Sequence, residues 1–126
     1  MGAFGEQLAA KYLRKHGYYI WKRNWTARRG ELDIVALKHR TLVVVEVKTR
    51  KKQKGAYPEP LDVVDAKKQD KLKWLLNQFC RKHDPELHHL RIKSARIDLV
   101  GIQYRGGFPL FSKNYSIVHE TDAVKL

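Results

Sequence analysis

Residues 30–48 read GELDIVALKHRTLVVVEVK and contain the strongest structural signal in the chain. Two runs rich in apolar and β-branched residues, Glu31–Leu37 and Thr41–Thr49, are separated only by the polar residues 38–40. Strand-forming runs joined by so short a polar segment are typical of a β-hairpin. We therefore predict two antiparallel strands connected by a tight turn.

The register of this hairpin brings two acidic side chains together. A two-residue turn at positions 39–40 places Asp33 directly opposite Glu46. Strand alternation also puts Asp33 on the same face as Glu31 and Val35. A shift of one residue would turn the two carboxylates to opposite faces of the sheet, so the predicted chemistry depends on this register.

Two carboxylates opposed at about 5 Å destabilise a strand pair unless a cation compensates their charge. Oxygen ligands from Asp33 and Glu46 suit Mg²⁺ or Mn²⁺, and Lys48 shares the face of Glu46. A metal ion beside an ammonium group is what phosphodiester hydrolysis requires. The alternative is structural: Lys48 pairs with Glu46 or Asp33 and only neutralises a buried edge.

The patterns before and after the hairpin predict helices and further strands. The spacing of apolar residues predicts helices over Phe4–His16 and Leu61–Lys82, and the aromatic run Tyr18–Trp25 predicts a strand. Lysine, glycine and proline in Arg50–Pro60 predict a mobile basic loop. The sequence Asp84-Pro85 is expected to end the second helix.

Two further strands complete the predicted order α-β-β-β-α-β-β. They are expected over Leu90–Tyr104 and Tyr115–His119, with a turn at Gly106-Gly107. This order predicts an α/β fold in which helices pack on a mixed sheet. With no long linker in 126 residues, we expect a single domain spanning 1–126.

The charge of the chain favours a polyanionic partner, with DNA as the leading candidate. There are 26 Lys and Arg residues against 13 Asp and Glu residues, a formal net charge of +13. Cationic surfaces bind nucleic acid by releasing counterions from its phosphates. No apolar run approaches the roughly 20 residues that cross a bilayer, so we expect a cytoplasmic protein that does not span a membrane. The single cysteine, Cys80, excludes an internal disulfide and a thiolate zinc site.

Several motifs resemble those of a known family. Asp33 followed by Glu46-Val47-Lys48 resembles the D…ExK core of the PD-(D/E)XK nuclease superfamily. Position 32 is leucine instead of the proline that names the superfamily. A fuller set closely resembles the YraN-like family of predicted endonucleases, which is distantly similar to archaeal Holliday-junction resolvases. The set comprises Gly5-Glu6-x-x-Ala9, Tyr12-Leu13, Asn24-Trp25, Gly30 to Ala36, Val45 to Arg50, and Arg96 to Val100.

The resemblance implies a fold and a set of site residues. The fold is a restriction-endonuclease-like mixed β-sheet flanked by helices. Asp33 and Glu46 match the metal-binding acids, Lys48 matches the catalytic lysine, and Glu6 matches a helix glutamate that joins the metal site. Gln69 lies where related nucleases place a Gln or Lys that faces the site. Because resolvases of similar fold act as dimers, a homodimer is a further expectation.

Basic residues around the predicted site are candidates for binding nucleic acid. Arginine suits phosphate because its guanidinium can donate two parallel hydrogen bonds. The candidates are Arg28 and Arg29 before the hairpin, and Arg50, Lys51, Lys52 and Lys54 after it. The alternative is ordinary solvated charge in loops. Asp98, beside Arg96 in an apolar strand, is interpreted as part of a structural ion pair.

Three functions stay open on the sequence. The first is a Mg²⁺- or Mn²⁺-dependent endonuclease acting on DNA, including branched DNA. The second is a non-catalytic nucleic-acid-binding module whose acids form a structural cluster. The third is a basic scaffold that joins a DNA-processing assembly through protein contacts.

Overall fold

The computed structural model describes residues 2–51, 64–104 and 115–126, which form an α/β fold. The predicted class and order are confirmed, with one additional short helix. The elements are α1 Gly2–Lys15, β1 Tyr19–Ala27, β2 Gly30–Lys38, β3 Thr41–Lys51, α2 Ala66–Lys82, α3 Asp84–His89, β4 Ser94–Tyr104 and β5 Tyr115–Val124.

The five strands form one mixed sheet in the order β1-β2-β3-β4-β5. β3 and β4 are parallel, and each other neighbouring pair is antiparallel. The β2–β3 register is the predicted one, with pairs from Lys38–Thr41 to Ile34–Val45. His39 has a φ of 54° in the connecting turn, which is a conformation that two-residue hairpin turns require.

Helices cover both faces of the sheet, and each face has its own apolar core. α1 contributes Ala9, Ala10 and Leu13 to one core, which also contains Ile34, Ala36, Val43, Val45 and Val100. α2 contributes Leu72, Leu75, Leu76 and Phe79 to the other, which also contains Leu32, Val35, Leu42 and Val44. A sheet buried on both sides accounts for the nearly continuous apolar run in β3. Within these described ranges, no helix is long and apolar enough to cross a membrane.

The boundaries around the predicted basic loop differ from expectation. Arg50 and Lys51 are residues of β3, because they continue the parallel ladder opposite Gln103 and Tyr104. Lys52 and Lys54, with the rest of the predicted loop, lie outside the described residues. α2 begins at Ala66, since the Asp65 side chain accepts a hydrogen bond from Lys68 N at 2.8 Å and caps the helix.

Other boundaries shift for local reasons. Asp84-Pro85 follows the end of α2 as predicted, but it also starts α3, where proline in the first helical turn is favourable. β4 therefore begins at Ser94 instead of Leu90. β5 extends to Val124 because this residue pairs with Ile97 beyond an irregularity in the ladder. α1 ends at Lys15 and β1 continues to Ala27. The predicted turn at 106–107 lies outside the described residues.

Asp98 is fully buried and forms the predicted structural ion pair. Arg96 Nε donates to Asp98 Oδ1 at 3.0 Å, and His119 Nε2 lies 2.8 Å from Asp98 Oδ2. The backbone N–H of Asp122 donates to Oδ1 at 2.9 Å. Burial alone would raise the pKa of Asp98, but hydrogen bonds from His119 and Arg96 outweigh it and hold the pKa below 3.8. The carboxylate thus joins β5 to β4.

We expect Asp98→Asn to destabilise the fold by about 2–4 kcal/mol near pH 7, because Arg96 loses its buried counter-charge. Because the pKa of Asp98 is lower in the folded protein than the unfolded value of 3.8, ionised Asp98 stabilises the fold above pH 3.8. This stabilisation is lost as the pH falls through the pKa of the folded state. The difference between wild type and variant should therefore shrink in acid. Urea unfolding measures both effects, with Asp70→Asn, at an exposed residue of α2, as control. A cost below about 1 kcal/mol would contradict this role.

Candidate active site

Asp33 lies where the β2–β3 ladder ends. The last backbone pair of the ladder is Ile34 with Val45. Immediately beyond it, the backbone N–H of Val47 donates to Asp33 Oδ2 at 2.8 Å. The Asp33 side chain is therefore fixed to β3 by one oxygen, and its second oxygen is available to another group. The predicted register is confirmed, and the carboxylate lies beside β3.

The predicted alternation of β2 is wrong at this end of the strand. Leu32 and Val35 pack on the α2 side of the sheet, whereas Ile34 packs on the α1 side. Alternation is thus interrupted at Asp33, so Glu31, Asp33 and Val35 do not form one regular row. Across the ladder in β1, Asn24 has a left-handed φ of 51°. Local irregularities of this kind change the direction of a side chain next to functional sites.

Glu46 is buried in β3, and its partner is a residue that sequence reasoning missed. Lys68 Nζ lies 2.8 Å from Glu46 Oε1. The hydrogen bond with Glu46 raises the pKa of Lys68, with burial opposing it. In the structural alternative, Lys48 was expected to pair with Glu46 or Asp33. The structure instead shows Lys68, from α2, paired with Glu46. Lys48 is itself a neighbour of Lys68.

The start of α1 brings a third acid to the same end of the sheet. Gly5 lies so close to Thr49 that a Cβ atom would collide with Oγ1 of that residue. The adjacent residue is Glu6, whose Oε1 is buried and has no hydrogen-bond partner among the residues that the structure describes. Burial raises the pKa of Glu6, Arg23 opposes the rise, and Glu31 and Glu46 add to it. Glu6 therefore lies within electrostatic reach of Glu46, with a carboxyl oxygen that lacks a partner in the segments that the structure describes.

The electrostatics of Asp33 define an acidic cluster made of Glu6, Glu31, Asp33 and Glu46. Burial and the charge of Glu46 raise the pKa of Asp33 to about 7, with smaller contributions from Glu6 and Glu31. The hydrogen bond from Val47 opposes this rise. In the described ranges, no three Asp, Glu, His or Cys side chains are close enough together to coordinate one ion. The cluster thus carries excess negative charge, which a proton or a cation would relieve.

Gln69 has a structural partner. Its Nε2 donates to the backbone carbonyl of Val64 at 2.6 Å, and Val64 packs into the core on the α2 side of the sheet. Gln69 therefore fastens the first turn of α2. The predicted role of Gln69 at the site stays a prediction; the preceding residue of α2, Lys68, is the one whose side chain contacts Glu46.

Basic residues border the same end of the sheet. Arg28 and Arg29 form the turn between β1 and β2, and the Arg29 guanidinium lies 5.2 Å from the centre of the Trp74 ring. The Lys71 side chain covers Gly30. Sequence reasoning missed Lys68, Lys71 and Trp74, although their spacing along one helix could have indicated a common face.

We expect Asp33→Asn to stabilise the protein above about pH 7, by about 1–2 kcal/mol once solvent screening is included. A raised native pKa gives stability that is present below the unfolded value of 3.8 and lost as pH rises toward about 7. Asparagine keeps the acceptor for Val47 N–H and removes the charge. Urea unfolding at about pH 4 and about pH 8 measures the change.

The control is Asp70→Asn, at an exposed residue of α2, which should change stability by less than about 0.5 kcal/mol. A destabilised Asp33→Asn variant at the higher pH would show that the ionised carboxylate is favourable there, contrary to this electrostatic account.

Comparisons with known proteins agree on one family. A family model described as "Uncharacterised protein family UPF0102" matches residues 5–102. A UPF0102 protein of Arthrobacter sp. (strain FB24) is 42% identical over 102 residues, covering 81% of this chain and 80% of the relative. A UPF0102 protein of Alkaliphilus oremlandii is 36% identical over 127 residues, covering 98% and 96%.

Among solved structures, Pyrococcus furiosus SfsA in complex with Ca²⁺ is similar at 17% identity and a TM-score of 0.37. The match covers 98% of this chain and 63% of that chain. At this level the likeness supports no inference about function. The family match spans most of the chain, and the chain therefore belongs to the UPF0102 family, the YraN-like family that its motifs resemble.

Proposed function

We propose that this protein is a metal-dependent endonuclease that hydrolyses DNA phosphodiesters, with the core residues of the PD-(D/E)XK superfamily. One observation carries the proposal: Val47 N–H holds the Asp33 carboxylate against β3 at 2.8 Å, next in sequence to Glu46, and burial together with the charge of Glu46 raises the pKa of Asp33 to about 7. Structural carboxylates are normally arranged to avoid such repulsion. Repulsion between carboxylates that is retained in a half-buried position is typical of a site that binds a cation.

The residues present fit a divalent ion. Asp33 Oδ2 is held by Val47 N–H, which leaves Oδ1 as a ligand, and Glu46 offers a second carboxylate. Within the described ranges, the buried Oε1 of Glu6 has no hydrogen-bond partner, as expected for a group that binds an ion-bound water. Asp33 and Glu46 offer the hard oxygen donors that Mg²⁺ and Mn²⁺ prefer, and because such an ion keeps several waters, Glu6 would act through an ion-bound water. When bound, the ion would polarise the phosphodiester and lower the pKa of a water nucleophile.

Basic side chains of the protein can stabilise charge on the reacting phosphate and hold the neighbouring phosphates of DNA. Lys48 lies beside Lys68 at the same end of the sheet, and an ammonium there offsets the negative charge that develops on the phosphate. Arg28 and Arg29, in the turn at this end, can hold neighbouring phosphates in position. The formal net charge of +13 favours association with DNA as a whole. The homodimer and the cytoplasmic location stay predictions from the sequence.

A second candidate is a nucleic-acid-binding module without catalysis. The ion pair between Lys68 and Glu46, at 2.8 Å, favours it, because a structural cluster would satisfy its buried acid in this way. The two candidates share the basic surface and differ in what the acids do. Cleavage assays therefore discriminate between them, whereas binding assays do not.

We expect DNA cleavage that requires Mg²⁺ or Mn²⁺ and falls by at least about a hundredfold in Glu46→Gln, because the variant loses a charged ligand. The assay uses branched, single-stranded and linear DNA, each with and without metal. Glu86→Gln, in an exposed residue of α3, is the matched control and should retain activity. Binding without cleavage under every metal would favour the module, and equal cleavage by Glu46→Gln would refute the assigned site.

We also expect Arg29→Ala to weaken DNA binding several-fold and to reduce the slope of log affinity against log salt by about 0.9, the value for one lost phosphate contact. Fluorescence anisotropy across a salt series measures both quantities. Lys93→Ala is the control, because this exposed residue precedes β4 near the opposite end of the hairpin. An unchanged slope in Arg29→Ala would place the DNA elsewhere on the protein.

A further inference from the structure

Lys68 occupies an unusual position between two kinds of partner. Its Nζ lies 2.8 Å from Glu46 Oε1, yet the Lys68 side chain is 36% exposed whereas that of Glu46 is only 11% exposed. Lys68 thus connects a buried acid to the surface from which a substrate would approach. A lysine side chain has four flexible methylene groups, so its ammonium can leave Glu46 while its backbone stays in place.

The backbone of Lys68 is firmly held. The Asp65 cap accepts from Lys68 N at 2.8 Å, and Gln69 fastens the same turn through Val64 at 2.6 Å. The helix therefore fixes the backbone of this lysine at a position from which its ammonium reaches Glu46. The charge of Asp33 also acts on Lys68, so the ammonium lies within electrostatic reach of both acids of the pair.

A divalent ion bound by these acids would compete with the Lys68 ammonium for the negative charge of the Glu46 carboxylate. Two cations beside one carboxylate repel each other, and the repulsion is stronger in a half-buried position. The ammonium has one evident alternative partner, a phosphate of bound nucleic acid, since anionic oxygens are the acceptors that lysine binds as a point charge. Movement from carboxylate to phosphate would make room for the ion.

We propose that Lys68 is an exchangeable counter-ion: it neutralises Glu46 in the free protein and moves to a substrate phosphate when a divalent ion binds. The inference rests on the proposed metal site and adds that DNA binding regulates the affinity of this site for metal. Because Lys68 links the two ligands, DNA and metal each strengthen the binding of the other, as linkage requires. The site would then hold a metal ion tightly only when nucleic acid is present. Lys68 is a positioning residue in this scheme.

The test measures Mn²⁺ binding from the loss of the free-ion EPR signal. Wild type, Lys68→Met and Lys67→Met are compared, with and without a phosphorothioate DNA duplex whose linkages resist hydrolysis, after subtraction of ion bound by DNA alone. Lys67 is the matched control, since it lies on the same helical turn with an exposed side chain. Melting temperatures verify that each variant is folded.

Without DNA, Lys68→Met should bind Mn²⁺ about fivefold more tightly than wild type, as expected from loss of one partly exposed competing ion pair. The tightening caused by DNA should be smaller by the same factor in this variant. Lys67→Met should resemble wild type in both respects. Equal Mn²⁺ affinity and equal coupling in all three proteins would overturn the inference.

Glu46→Gln separates failure of this inference from failure of the proposed function. If Glu46→Gln loses Mn²⁺ binding while Lys68→Met behaves as wild type, the metal site stands and the exchange is wrong. If Glu46→Gln and wild type bind Mn²⁺ equally in the presence of the DNA duplex, or neither binds it there, the metal site itself is wrong and so is the exchange.

Discussion

Repulsion between carboxyl groups at one end of the sheet is the constraint to which the surrounding structure responds. Glu6, Asp33 and Glu46 come from a helix and two strands, and the charge of Glu46 adds to burial in raising the pKa of both Glu6 and Asp33. Their burial and proximity cost stability, because burial and the charge of Glu46 raise the pKa of Asp33 to about 7, and Glu6 has a buried oxygen without a partner in the described part of the chain. A fold that tolerates this cost holds the acids in place by packing elsewhere, as proteins do at functional sites.

The supporting frame explains why these acids meet. The parallel crossover from β3 through α2 to β4 starts α2 near the end of β3, so that Lys68 reaches Glu46. On the other face, the close approach of Gly5 to Thr49 brings the start of α1 to the same end. Two apolar cores, one on each face, fix these helices to the sheet. Crevices at the carboxyl ends of strands are common binding sites in α/β folds for this geometric reason.

The hairpin register and the element order could be predicted from the sequence because they depend on local signals. The polar turn at 39–40 set the pairing, and the apolar runs were long enough to identify β2 and β3. Contacts between residues that are distant in the sequence could not be predicted. The Lys68–Glu46 ion pair depends on where α2 crosses the sheet, and the interruption of β2 at Asp33 leaves no mark in the pattern of apolar residues. Similarly, β3 extends to Lys51 because β4 pairs with it. From Arg50 onward the composition of the sequence is that of a loop, so this extension could not be predicted.

We propose that Asp33 and Glu46 share one divalent ion. A crystal of the protein bound to the hydrolysis-resistant phosphorothioate duplex, soaked in Mn²⁺ and measured by anomalous scattering, tests this sharing. The account predicts an anomalous peak bonded to one oxygen of each carboxylate, with metal–oxygen distances near the roughly 2.0–2.2 Å expected for a small hard cation. Saturating Mn²⁺ with Lys68 still paired to Glu46 and no peak at either carboxylate would contradict it.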